Sequence, residues 1–150
     1  MKPLGRILIY FSIIFLFTTG FNNITAGESL SKTVAIKGYD SVAYFTEGKA
    51  VKGDEHYTFQ WNGMVWYFSN KENKELFVKK PENYAPQYDG YCAWAMTEAR
   101  KAATDPEFWK IVNGKLYLNC NKAAHERWSR DIPGNIKKAD DNWRKFSAAT

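Results

Sequence analysis

The sequence predicts an α+β domain of two antiparallel β-hairpins with short helices packed on an aromatic core. Three observations carry this reading. Asn62-Gly63 and Asn113-Gly114 are each flanked by strand-like residues, the strongest short-range hairpin signal. Polar capping residues precede stretches with apolar positions at helical spacing. Aromatic residues make up 17% of the 150, and each can bury ~150–250 Å², enough to build a core without staples.

The first segment reads as an address. Met1 to Arg6 is short and basic, Ile7 to Phe17 is apolar except for Ser12, and Thr18-Thr19-Gly20 follows. About eleven apolar residues rise only ~16 Å as a helix, roughly half a bilayer's hydrocarbon thickness. The pattern is that of a secretory signal peptide over residues 1–26, cleaved after Ala26 or, second, after Gly20. Residues 27–150 then form one domain, periplasmic or secreted, with no stable membrane span after cleavage. Without Lys2 and Arg6 the net charge of +5 falls to about +3, too small and mixed to argue for nucleic acid.

Around Asn62-Gly63 a two-residue turn pairs Trp61 with Met64, Phe59 with Trp66 and Tyr57 with Phe68, so these six large residues share a face. Ser69-Asn70-Lys71-Glu72 reads as a capping box opening a helix to about Lys79, before Lys80-Pro81. A second helix is expected from about Asp89 toward Ala103, with Cys92, Ala95, Met96, Ala99, Ala102 and Ala103 on one arc. Around Asn113-Gly114, Trp109, Ile111, Leu116 and Leu118 share a face, and Lys110, Val112, Lys115 and Tyr117 line a more polar one. Asn121 to Arg130 reads as a third helix, stopped before Ile132-Pro133-Gly134. The last, about Asn135 to Phe146, sets Ile136, Ala139, Trp143 and Phe146 on one side. No internal repeat, low-complexity tract or dividing linker stands out.

Chemistry concentrates on few residues. In an exported chain, Cys92 and Cys120 are candidates for a disulfide. If instead Asp89 caps its helix, Cys92 lies in the first turn, where unpaired N–H groups favour a thiolate metal ligand or redox nucleophile. Its place on the small-residue stripe also suits an inert core filler. Cys92 and Met96, four apart, offer soft sulfur to a copper(I) ion, though core packing needs the same spacing. The sequence has no Cys-x-x-Cys and no His pair at helical spacing, so a structural zinc site is not expected. His56 and His125 read as surface residues. No Ser-His-Asp arrangement, phosphate-cradling glycine loop or paired-carboxylate motif can be picked out, so an enzyme is the less favoured class.

Three stretches carry a family resemblance: Gly38-Tyr39-Asp40-Ser41-Val42-Ala43-Tyr44-Phe45; Trp66-Tyr67-Phe68-Ser69 with Pro81 through Ala93; and Asn113-Gly114-Lys115-Leu116-Tyr117-Leu118-Asn119. Over about residues 36 to 146 the chain resembles the exported YHS-domain proteins of bacteria. Ser41 stands where that pattern usually has proline. The resemblance implies the α+β fold and, through related metal-handling modules, a metal ion as a ligand class. Those modules place cysteines beside the first strand and at the start of the helix after the hairpin. Here Ala43 to Phe45 and Ser69 to Asn73 hold none. What the resemblance leaves is Gly90-Tyr91-Cys92, whose last position is selenocysteine in some relatives.

Three functions are therefore expected. One is an envelope binding module for a metal ion or small ligand through Cys92. Another is a thiol-redox protein using Cys92. The third is a structural domain binding an envelope protein through aromatics such as Trp94.

Overall fold

The computed structural model describes residues 33–149, so the segment read as a signal peptide lies outside the described residues. The fold is α+β. In chain order it contains a turn at Ala35–Gly38, α1 (Ala43–Thr46), β1 (Asp54–Trp61), β2 (Met64–Phe68), α2 (Lys71–Lys79) and α3 (Pro81–Tyr84). A second turn at Gln87–Gly90 leads to α4 (Ala93–Thr97), β3 (Asp105–Val112), β4 (Lys115–Asn119), α5 (Lys122–Ser129) and α6 (Ile132–Ala148).

Each hairpin is a separate antiparallel sheet closed by its Asn-Gly pair. Both central residues take positive φ, 50° and 72° in each turn, as a two-residue hairpin turn matched to strand twist requires. Trp61 pairs with Met64 and Phe59 with Trp66, as expected. Tyr57 does not pair with Phe68, however. The register slips between Asp54 and Thr58, and Phe68 faces Asp54. The cause is local: the Asp54 carboxylate accepts the His56 N–H at 2.8 Å and pulls the strand into a bulge. All six large residues still reach one core, with Trp66, Phe68 and Phe77 buried at its centre.

Leu116 and Leu118 of the second hairpin complete that first core, with Trp109 and Ile111 packed beside them. The opposite face is less polar than its sequence suggested. Tyr117 is buried in a second core with Tyr88, Ala93, Met96, Trp128 and Ala139. Ile136, Trp143 and Phe146 of α6 pack against it on their expected side. The second hairpin is thus covered on both faces.

Helix ends depart from expectation for identifiable reasons. Asn70, not Ser69, caps α2 by accepting the Asn73 N–H. α6 begins at Ile132 because Asp131 caps it through the Gly134 N–H and Pro133 suits a first turn, where no N–H is needed. The helix expected from Asp89 to Ala103 is only five residues long. Tyr88 and Asp89 are left-handed (φ 59° and 52°), which prevents an earlier start. After Thr97 the chain turns at Ala99 (φ 53°), the Arg100 N–H closing on the Ala95 carbonyl. This is a Schellman-type stop with alanine where glycine is usual, so the sequence carried no stop signal.

The described residues contain a structural repeat. The interval from Asn62 to Asn113 also carries β1 onto β3, β2 onto β4, the Asn70 cap onto the Asn121 cap and buried Phe77 onto buried Trp128. Even the bulge recurs: Asp105 pairs with Asn119 as Asp54 does with Phe68, and its carboxylate accepts the Glu107 N–H. The two turns match as well. Ile36, Lys37 and Gly38 (φ 47°, 52°, 80°) repeat in Tyr88, Asp89 and Gly90 (φ 59°, 52°, 79°). Side-chain chemistry diverges while backbone devices persist, which is why the repeat does not stand out in the sequence.

Candidate functional site

In each half the chain leaving the left-handed turn is tied to the end of the hairpin. In the first half the tie is Asp40, fully buried between the turn and α1. Its Oδ1 accepts the Val42 N–H at 2.8 Å and the Ala43 N–H at 3.3 Å. Its Oδ2 accepts from the Ser69 N–H, the Ser69 hydroxyl and the Asn73 amide at 2.7–2.8 Å. A buried carboxylate is tolerated only with such compensation. Ser69 is therefore engaged by Asp40, which leaves Asn70 as the cap.

In the second half the tie is covalent. Cys92 and Cys120 form a disulfide with Cα atoms 5.3 Å apart, within the usual range. Cys92 is fully buried, and its sulfur also accepts the Cys120 N–H at 3.0 Å. Cys92 stands at the N-cap of α4, not in a first turn capped by Asp89. Asn119 supplies the capping oxygen instead, accepting the Trp94 N–H at 3.1 Å. In this form Cys92 has no thiolate to offer a cation or an oxidant.

Met96 is also fully buried, but its side chain joins Tyr88, Tyr117 and Trp128, whereas Cys92 packs with Ala95 and Ala124. The structure brings Cys92 to Cys120 and sets Met96 in a different cluster. Among the described residues no three His, Cys, Asp or Glu side chains gather where they could hold a metal ion. The oxidised chain therefore does not fit a resident copper ion at Cys92 and Met96. Trp94 is half-buried rather than exposed, wedged between the second core and the disulfide cluster. A five-residue helix packed against both α5 and α6 has little face left to present.

His125 is half-buried beside Asn119, its Nδ1 3.4 Å from the Asn119 amide nitrogen. Burial and the Lys110 charge hold its pKa below that of a free imidazole, against a weaker opposite pull from Glu126. Burial raises the pKa of Tyr44, helped by nearby carboxylates, and of Tyr88, whose hydroxyl donates to Asp140 at 2.8 Å. These tyrosines remain neutral hydrogen-bond donors; Tyr44 donates to the Pro106 carbonyl at 2.9 Å.

Sequence reasoning missed a cleft of about 210 Å³ between the two left-handed turns. Met64, Trp66 and Tyr91 supply apolar surface, with Lys37, Asp89 and Thr104 as polar neighbours. Asp89 is also approached by the Asn62 amide at 3.4 Å, which links the first hairpin's tip to the second turn. One available signal was the pairing of Lys37-Gly38-Tyr39-Asp40 with Asp89-Gly90-Tyr91-Cys92. It marks two similar turns that could meet.

Comparison with known families finds a YHS domain at residues 42–88. The matched span runs from the start of α1 through the first hairpin and α2 to the second turn. No curated protein and no solved structure matches the chain. No helix among the described residues is long and apolar enough to cross a membrane.

Proposed function

We propose that the chain is an exported, disulfide-stapled binding domain rather than an enzyme, with a small organic ligand seated in the cleft between the two turns. The cleft carries this reading. It combines aromatic and thioether surface from Trp66, Tyr91 and Met64 with the charges of Asp89 and Lys37 and the Thr104 hydroxyl. Apolar walls with a few polar groups are the usual composition of a small-molecule site. At about 210 Å³ it is smaller than the ~300 Å³ at which drug-sized pockets begin, so the ligand is a compact molecule. Cys92 serves as a staple in this reading and not as the contact.

Export is supported by the N-terminal pattern and by a disulfide, which persists in oxidising compartments. In this reading the domain works in a periplasm or outside the cell. Amide correlation spectra of the oxidised protein, titrated with compact aromatic and charged molecules, test the cleft. Saturable shifts should cluster at Trp66, Asp89 and Tyr91 and disappear in Ala103→Trp, which fills the cleft. Shifts that map elsewhere, or that survive this substitution, would overturn the assignment. Copper and zinc salts added to the same sample test a metal ligand, which would instead perturb Cys92 or Met96.

A further inference from the structure

We propose that Tyr91, Trp143 and Phe146 form a cage for a quaternary ammonium group, and that the chain's own Lys101 occupies it as an internal stand-in. The Lys101 Nζ lies 5.3 Å from the centre of the Tyr91 ring, 5.5 Å from that of Trp143 and 5.1 Å from that of Phe146. Each distance falls within the ~6 Å over which a ring's negative face attracts a cation. The rings converge from separate parts of the chain. Tyr91 follows the second turn, while Trp143 and Phe146 lie about one turn apart on α6. Tyr91 and Trp143 have ring centres 6.5 Å apart with planes inclined at 50°, so their faces can share one cation.

Lys101 is exposed, in the irregular stretch between α4 and β3, whereas the three rings are half-buried. It makes no ion pair among the described residues, so aromatic faces are the partners of its charge. A primary ammonium is strongly hydrated and carries three N–H donors that aromatic faces satisfy poorly. A quaternary ammonium has no N–H to leave unpaired, and its methyl groups pack on the rings, so the same cage suits it better. Lys101 can swing into solvent without unpairing a carboxylate. The lysine therefore lowers the apparent affinity by the fraction of time it fills the cage. This assignment does not depend on the cleft being a ligand site.

Tetramethylammonium chloride and choline chloride, titrated against a sodium chloride control, test the cage through the Trp143 indole resonance. Saturable shifts are expected in the wild type and at about tenfold lower concentration in Lys101→Ala. They should be lost in Trp143→Leu, followed instead through the Tyr91 backbone amide resonance, and in Phe146→Leu, each checked for an unchanged near-ultraviolet circular dichroism spectrum outside the lost ring. Phosphatidylcholine vesicles separate the two sources of the group. Co-sedimentation that choline competes away assigns a lipid headgroup, and choline binding without co-sedimentation assigns a free small molecule. No saturable shift in Lys101→Ala would overturn the cage, as would binding unaltered in both leucine variants. Equal affinity in the wild type and Lys101→Ala would overturn the stand-in role.

Discussion

Asp40 and Cys92 hold equivalent places in the two halves of the molecule, one tethering the chain through hydrogen bonds and the other through a covalent bond. Each is fully buried, two residues beyond the glycine of a left-handed turn. Each backbone N–H bonds a carbonyl ahead of the following strand, Val51 at 2.8 Å for Asp40 and Ala102 at 3.0 Å for Cys92. Asp40 then accepts the Ser69 N–H and Cys92 the Cys120 N–H. Ser69 and Cys120 both immediately precede an asparagine that caps the next helix.

If the two ties are equivalent, the first should accept the chemistry of the second. Asp40→Cys combined with Ser69→Cys is expected to form a disulfide under oxidising conditions, read as a mass lower by two hydrogens than the reduced form. Two free thiols after exposure to oxidised glutathione, in a chain that keeps its circular dichroism spectrum, would refute the equivalence.

Asp40→Ala removes an acceptor from buried donors on three segments. The expected loss is about 3–5 kcal/mol, because the Ser69 and Asn73 donors are left without their partner. Urea unfolding measures it, and a loss below about 1 kcal/mol would show that Asp40 is not the anchor of this half.

Cys120→Ser opens the covalent tie. The expected cost is about 2–4 kcal/mol, with amide exchange rising first in α4 and α5, the helices packed around the disulfide. Faster exchange confined to β1 and β2 would contradict this placement.

Ser41 gives the opposite sign. It is fully buried, and its hydroxyl has no hydrogen-bond partner among the described residues. Ser41→Ala should leave stability unchanged or raise it by up to about 1 kcal/mol, whereas Ser69→Ala, which breaks a bond to Asp40, should lower it. Thermal unfolding of the two variants side by side decides.

His125 sets a pH dependence. Its folded pKa lies below the unfolded value near 6.5, so the unfolded chain binds more protons as pH falls. The stability associated with neutral His125 is therefore present above about pH 6.5 and is lost progressively below it. In urea titrations between about pH 7 and pH 5, His125→Gln should lose less stability than the wild type. Parallel curves would exclude this role.

Much of the fold was legible because its signals are local. Asn-Gly pairs dictate positive φ, and alternation then sorts Trp61, Met64, Phe59 and Trp66 onto one face whatever the rest of the chain does. Asn121, followed by Lys122-Ala123-Ala124, marks α5 for the same reason. The site was less legible. Cys92 was singled out, but its state depends on where Cys120 lies, and that follows from the second hairpin's register. Asp40 read as part of a motif, yet its five donors come from Val42, from Ala43 at the start of α1, from Ser69 and from α2.

The sequence by itself determined the two hairpins, their turn type, the apolar face of each, the places of α2 and α5 and most of α6, since each follows from backbone preferences within a few residues. Only the tertiary structure decided the bulges, the shortening of α4, the burial of Tyr117, the Cys92–Cys120 bond, and the convergence of Tyr91, Trp143 and Phe146 on Lys101. The burial of Tyr117, the disulfide and the convergence on Lys101 depend on contacts between distant segments, where packing outweighs local propensity. The bulges and the short α4 follow from local hydrogen bonds and left-handed residues that the sequence pattern does not announce. The repeat belongs to both levels: its asparagines, glycines and aspartates are written in the sequence, but their equivalence emerges only when the two hairpins and their ties are compared as built.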